Sequence, residues 1–311
     1  MEAAQADTGG LDIAAKTFPL TFACWGRCVG WLVRQHPSDA AAAIVPARDL
    51  FEKFIFTRYT EPQRHYHTLT HLEDMLGCLA RFQSEAPMAH RLPAAGTRRI
   101  VVELATLFHD VVYDPRRGDN EECSTAWFQS FWDDARRIAT ADAALLNTGE
   151  ALVSACPLLW DDPDAAREVV EEVVRFILQT KHHMSVEPCY THWTLQSGDS
   201  AVALQPTPSP LHIFLDLDLA ILGSGAERYQ QYTLDIRREY GWHSEADFCR
   251  GRVAFLRSFL RHPRWYKTKF FCDALEAKAR ANVAAEVVEL EARLRKLLPQ
   301  ERPGCAEGTC R

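Results

Sequence analysis

The chain has 311 residues, 47% hydrophobic and 25% charged, a composition that excludes a largely disordered protein. Its net charge of −7 and isoelectric point near 6.0 argue against a protein that mainly holds nucleic-acid backbone, because such binding requires clustered Lys and Arg. The first residues, MEAAQAD, lack the basic start and apolar run of a signal peptide, and charges interrupt the apolar runs before they reach spanning length. We therefore expect a cytoplasmic protein without a membrane or nucleic-acid polymer as partner.

Apolar residues recur at intervals of three and four along almost the whole chain, a pattern that predicts an all-α protein. No segment shows the convincing alternation of a strand. The tails 1–10 and 299–311 are predicted to be disordered. The predicted helices cover residues 11–36, 45–59, 69–83, 97–113, 119–137, 165–181, 226–240, 244–261 and 270–298.

A proline-rich segment, residues 184–210, interrupts the helical pattern. It ends in QPTPSP and is too rich in proline for a helix, so we predict a loop. A loop of this length can be a lid over a site or a surface insertion with no role in the chemistry. Long insertions are tolerated well enough that the sequence favours neither interpretation.

Two segments combine imidazoles with a carboxylate. The first, YHTLTH, carries His67 and His71, and the second, FHD, carries His109 and Asp110. Imidazole suits zinc, iron and nickel, whereas carboxylate suits manganese and magnesium, so the mixed set predicts a catalytic divalent ion. Manganese, magnesium, iron, zinc, cobalt and nickel cannot be told apart from these ligands. A later segment, FLDLDLA (214–220), offers a further carboxylate.

The order of a His, an adjacent His-Asp pair and a distant Asp resembles the HD superfamily of metal-dependent phosphohydrolases. The matching residues are His71, His109, Asp110 and Asp218. The words YHTLTHL are similar to the YHNxxH segment of cyclic-nucleotide phosphodiesterases, which share that fold. The segment FHDVVYDP, followed by DNEE, resembles a segment found in an uncharacterised bacterial subgroup of predicted HD phosphohydrolases. The resemblance spans roughly residues 59–223.

The resemblance implies the architecture of the chain as well as its metal. We expect a single HD-type helical domain over residues 11–298. Its metal-site core lies at about 59–223, and a C-terminal helical section at 224–298 is added to the bundle.

The late carboxylate is either Asp216 or Asp218. In a helix these side chains project about 200° apart, so only one is expected to face the ion. We choose Asp218, because the segment DLA (218–220) is similar to the DLS segment that carries the distal metal ligand in cyclic-nucleotide phosphodiesterases. Asp216 is then expected to support the ligands or to lie at a helix terminus, and it stays the lesser alternative as ligand.

Catalytic roles follow from the resemblance and from helix geometry. His67 is the general acid by resemblance, and if helical it lies one turn from His71 on the same face. His109 and Asp110, about 100° apart on a helix, can both flank one ion. Hydrolysis of a phosphoester requires charge neutralisation, an activated water and a protonated leaving oxygen. Asp110 or Asp218 can also accept the proton of the water.

Three residues are predicted to contact a small phosphorylated substrate, a nucleotide being one such molecule: Lys181, Arg117 and His183. His183, or His182 beside it, can instead recruit a second metal, as in the di-iron oxygenases of this fold. An imidazole that interacts with the helix dipole is at least as well favoured. A metal-binding or ligand-binding module without turnover is the third alternative. The aromatic run 265–271 can stack a nucleobase, but core packing is the favoured interpretation.

Overall fold

The computed structural model describes residues 8–32, 47–94, 96–146, 159–190 and 207–297. These residues form eleven helices and no strand, which confirms the all-α prediction. The helices are α1 (Thr8–Thr17), α2 (Pro19–Leu32), α3 (47–59), α4 (Leu69–Glu85), α5 (Thr97–Phe108), α6 (Asn120–Leu146), α7 (Pro163–Thr180), α8 (Pro210–Leu219), α9 (Ala226–Glu239), α10 (Glu245–Arg261) and α11 (Lys269–Leu297). None of these helices is both long enough and apolar enough to cross a membrane.

Two predictions about the first residues are wrong in part. The predicted helix 11–36 is broken into α1 and α2, because Pro19 has no backbone N–H to continue α1 and instead begins α2. Residues 8–10, predicted as part of a disordered tail, belong to α1. The rest of that tail, and the tail at 299–311, lie outside the described residues.

The later helices agree with their predicted ranges to within a few residues, with two exceptions. Helix α6 continues to Leu146, well past the predicted end at residue 137. Helix α5 ends at Phe108, although the apolar pattern predicted a helix to residue 113. Most of the predicted loop at 184–210, and with it the question of a lid, lies outside the described residues.

Helix α5 is the central element of the bundle. Every residue from Ile100 to Phe108 is buried, and the helix contacts α2, α4, α6, α7 and α8. A helix that is apolar on nearly all sides must lie inside the protein. The His-Asp pair that follows Phe108 therefore starts from the middle of the core.

The C-terminal section is attached to the core through α8 and the turn that follows it. Asp216, buried on α8, accepts hydrogen bonds from the backbone N–H groups of Lys267 and Thr268 (2.6 and 2.8 Å) and from the Thr268 hydroxyl (2.7 Å). Helix α11 packs on the turn at Gly223, where a Cβ would lie 2.7 Å from the Cβ of Leu275. Only glycine allows the helix to approach so closely.

The aromatic run 265–271 packs in the core, as the favoured interpretation predicted. Trp265, Tyr266 and Phe271 are buried, and the Tyr266 hydroxyl donates to the Leu219 carbonyl oxygen at 3.0 Å. These rings are therefore not available to stack on a ligand.

Replacing Asp216 by Ala is expected to lower the free energy of unfolding by about 3 kcal/mol or more, because buried donors then lose their acceptor at about 1–3 kcal/mol each. Urea denaturation measures the loss. The matched control is Asp273→Ala, since Asp273 pairs with Lys269 at the surface and is 60% exposed. Equal losses in the two variants would show that Asp216 does not anchor the C-terminal section.

Candidate metal centre

Four side chains from three parts of the bundle meet at one buried point. His71 comes from α4, His109 and Asp110 follow α5, and Asp218 comes from α8. Each offers one donor atom, and these atoms all lie within 4.8 Å of one another. The His71 and His109 Nε2 atoms are 3.2 Å apart, and Asp110 Oδ2 lies 3.0 Å from His109 Nε2. This buried His/Asp cluster can bind a metal ion.

The end of α5 directs His109 and Asp110 to the same point. His109 is the C-cap residue, still in the right-handed helical conformation, and Asp110 has already left the helix. The expectation of two adjacent helical ligands was therefore wrong for Asp110. His109 Nδ1 lies 3.0 Å from the Thr106 carbonyl oxygen, so its N–H donates there and Nε2 is the nitrogen that faces the other donor atoms.

The electrostatics of the cluster favour a cation. Burial raises the pKa of the Asp110 carboxyl, but the charges of His109 and His67 outweigh burial and hold that pKa below its usual value. Asp218 behaves alike: its hydrogen bonds to His109, His183 and His71 overcome burial and lower its pKa well below normal. Burial lowers the pKa of His109, and the two carboxylates outweigh it and raise that pKa well above normal. Two ionised carboxylates beside imidazoles fit a divalent metal.

His67 lies beside the cluster, on the segment that precedes α4. The helix begins at Leu69, as predicted, with Thr68 as its N-cap, so His67 is not helical and the condition for its lying one helical turn from His71 is not met. Its ring centroid is nevertheless 5.9 Å from that of His71, and its Nε2 is 3.8 Å from Asp110 Oδ2. The Tyr113 ring stacks on the His67 ring, with the two centroids 3.8 Å apart. His67 is thus placed next to the metal donors without being one of the four.

Glu239, at the end of α9, positions His67, a role that was not predicted from the sequence. One of its carboxylate oxygens accepts the backbone N–H groups of His65, Tyr66 and His67 at 2.8–2.9 Å. The other oxygen lies 2.7 Å from His67 Nδ1. Burial lowers the pKa of His67, but Glu239 and then Asp110 outweigh it and raise that pKa above its ordinary value. His67 therefore holds its proton more firmly than a free imidazole.

Arg64 joins the two segments that carry the site. Its buried guanidinium donates to the carbonyl oxygens of Asp110 and Val111 at 2.6 and 2.8 Å, and to that of His67 at 3.2 Å. Glu61 supplies the balancing charge at 3.1 Å. A charge buried in this way is stable only when its donors are satisfied. Arg64 was not predicted as a site residue.

The residues predicted to contact the substrate lie in different surroundings. Lys181 donates to the Gly118 carbonyl oxygen and to Glu122 at 2.6 and 2.8 Å, and Arg117 forms a two-pronged pair with Asp119. Both cations are thus already paired with carboxylates, and their role in substrate binding stays a prediction.

His183 and Asp216, two further residues considered in the sequence analysis, make contacts that define their roles in the structure. His183 contacts the cluster directly, with its Nε2 2.8 Å from Asp218 Oδ2. Asp216 holds the C-terminal section instead of joining the cluster.

A second group of donors, Cys24, Cys28 and Glu103, also lies within 4.8 Å. Arg27 and Arg99 both donate to the Glu103 carboxylate, at 2.7 and 3.0 Å. Burial, together with the neighbouring Cys24, raises the pKa of the Cys28 thiol well above normal, so the thiolate that binds metal is disfavoured. This group is a buried ion-pair network of the core.

Comparison of the chain with protein-family models, with curated proteins and with solved structures finds no match. The function of the chain is therefore inferred from the side chains that its fold brings together. The likeness of the motifs to the HD superfamily stays a prediction.

Replacing Asp218 by Asn is expected to reduce metal affinity far more than replacing Asp216 by Asn, because only Asp218 belongs to the donor cluster. His109→Ala should lose metal as well. Titration with manganese, followed by elemental analysis of the dialysed protein, measures the affinity. Similar losses in the two Asn variants would contradict the assignment of the late carboxylate.

Metal should also stabilise the native protein, because an ion that binds only the folded state contributes about 2.7 kcal/mol at a hundred times its Kd. The melting temperature of the wild type is expected to rise with added manganese, and that of Asp218→Asn is expected to stay constant. The Asp216→Asn variant provides the control: it should melt at a lower temperature yet keep the metal-dependent rise.

Proposed function

We propose that this protein is a metal-dependent phosphohydrolase that acts on a small phosphorylated molecule. The observation that carries the proposal is the position of His67, an imidazole with a raised pKa, held by Glu239 next to four metal donors. A site that only stores a metal has no need of a proton donor aimed at it. The sequence segments around His71 and His109, which resemble those of HD phosphohydrolases, support the same reaction class.

Hydrolysis of a phosphoester needs stabilised charge on the phosphoryl oxygens, an activated water and a protonated leaving oxygen. A divalent ion held by His71, His109, Asp110 and Asp218 would supply the first two as a Lewis acid. His67 supplies the third: Glu239 accepts at Nδ1, which leaves the Nε2–H of the imidazolium free to donate to the leaving oxygen. Asp110, whose carboxyl is ionised, can accept the proton of the water.

A small cavity of about 160 Å³ adjoins the cluster and suits an anionic group. His71 and Asp218 form part of its wall, and Arg228 contributes a guanidinium that is 31% exposed. Arginine binds phosphoryl oxygens through paired N–H donors. Arg228 also donates to Asp74 at 2.6 Å, an exposed pair that costs little to rearrange. The position of this cavity supports a binding mode in which the phosphoryl group is the part of the substrate nearest the metal.

The replacement of His67 by Asn is expected to keep the metal and to lower turnover by about two to four orders of magnitude, the usual worth of a general acid. The loss should shrink with a nitrophenyl phosphoester, whose leaving group needs no proton. Phosphate release from alkyl and nitrophenyl esters measures both effects. His65→Asn is the matched control, because His65 is exposed on the same segment and should leave turnover unchanged. Loss of metal in His67→Asn would make His67 a ligand instead.

Glu239→Gln is expected to reduce turnover on alkyl esters at least tenfold, because an amide stabilises the protonated imidazole less than a carboxylate does. Since Glu239 acts through His67, the double variant with His67→Asn should be no slower than His67→Asn alone. A purely structural role for Glu239 would instead give additive losses, and metal content should not change in either case.

An iron-dependent oxygenase is the second candidate function, and His183 favours it. Its Nε2 contacts Asp218, and its buried Nδ1 has no hydrogen-bond partner among the described residues, so this imidazole can serve as a further metal ligand. The oxygenase requires two irons per chain and consumes oxygen. The phosphohydrolase releases phosphate at the same rate with and without oxygen.

A further inference from the structure

We propose that a second, larger cavity beside His67 binds the leaving group of the substrate and selects an uncharged aromatic one, with Gly251 as the residue that keeps the space open. The inference rests on the proposed hydrolysis, because it takes His67 as the donor to the leaving oxygen. A group that accepts this proton must lie next to His67, and His67 forms part of the wall of this cavity.

The cavity has the size and lining of a small-molecule site. Its volume is about 480 Å³, within the range of about 300–1,000 Å³ typical of ligand pockets. Besides His67, the wall consists mainly of rings from four parts of the chain: Tyr113, Tyr232, Tyr240, Phe248 and Phe255. We call it the aromatic cavity.

Two exposed rings lie in this wall or against it. Phe255, in the wall, is 49% exposed, and Trp242, which is outside the wall but stacks on the wall residue Tyr240 with centroids 5.3 Å apart, is 39% exposed. Large apolar rings that stay exposed around a concave surface mark a binding site more often than a single exposed ring does. Flat walls and the hydroxyls of Tyr232 and Tyr240 suit a planar ring with polar substituents better than an alkyl chain.

The charges around the aromatic cavity are already paired, which favours an uncharged ligand. Arg252 donates to Glu286 at 2.9 Å and to the Tyr232 hydroxyl at 3.1 Å. Asp247 accepts from Arg250 at 2.6 Å. A second phosphate in this cavity would have to displace Glu286 from Arg252, a buried pair whose separation is costly.

Gly251 is the second, independent sign of a ligand. It lies in the middle of α10, where glycine costs about 1 kcal/mol relative to alanine, yet it forms part of the cavity wall. A Cβ at this position would meet no atom within 4 Å, so packing within the protein does not require glycine. The space that its missing side chain leaves belongs to the aromatic cavity.

Gly251→Leu tests the proposal, because leucine fills the cavity and also favours the helix. The matched control is Gly26→Leu: Gly26 lies inside α2, also has nothing within 4 Å of a Cβ, and is remote from the cavity wall. Both variants should fold and be at least as stable as the wild type. Calorimetric titration with 2-naphthol measures binding without turnover, and phosphate release from 2-naphthyl phosphate and glycerol phosphate measures selectivity.

Gly251→Leu is expected to weaken 2-naphthol binding and to raise the KM for naphthyl phosphate at least tenfold. Its KM for glycerol phosphate should equal that of the wild type, and Gly26→Leu should match the wild type in every one of these measurements. Unaltered naphthol binding in Gly251→Leu would overturn the proposal, as would equally tight binding of octanol by the wild type. If neither ester is hydrolysed but naphthol binding is lost only in Gly251→Leu, the aromatic cavity stands as a binding site and the proposed hydrolysis fails.

Discussion

The close approach of two like charges, the half-buried carboxylates of Asp110 and Asp218, is the constraint on which the rest of the structure depends. Each carboxylate must find positive charge or hydrogen-bond donors, because an unpaired buried charge is strongly destabilising. The bundle meets this need by bringing His71 and His109 from two further positions to the same point. The crossing of α4, α5 and α8 therefore does more than form a core: it creates a negative centre in which a divalent cation is the natural complement.

Two oppositely charged residues hold the backbone around that centre. Arg64 donates hydrogen bonds to backbone carbonyl oxygens, including those of Asp110 and His67. Glu239 accepts hydrogen bonds from the backbone N–H groups of the segment around His67. The segment is thus held by its donors on one side and by its acceptors on the other. This arrangement fixes the His67 ring next to the cluster without making it one of the four donors.

The motif residues could be found in the sequence because they carry a characteristic order and spacing. His71, His109, Asp110 and Asp218 do share one point. The end of α5 was predicted less well, since this helix stops before Asp110, and local termini depend on hydrogen bonds that periodicity does not report. A glutamate such as Glu239, at the polar end of a helix, resembles a solvent-facing residue in sequence. Its role depends on contacts with distant residues.

The bond between Glu239 and His67 spans 172 residues of chain, and this separation has a consequence for biosynthesis. A nascent chain that has emerged only to α8 already holds all four residues of the cluster but lacks Glu239, the partner that fixes the His67 ring. Contacts of such long range form late, because the entropy of closing the loop opposes them. The four-donor cluster and the contact between Glu239 and His67 are therefore expected to form at separate stages, and only a chain whose C-terminal helices have docked on Asp216 and Gly223 completes the second.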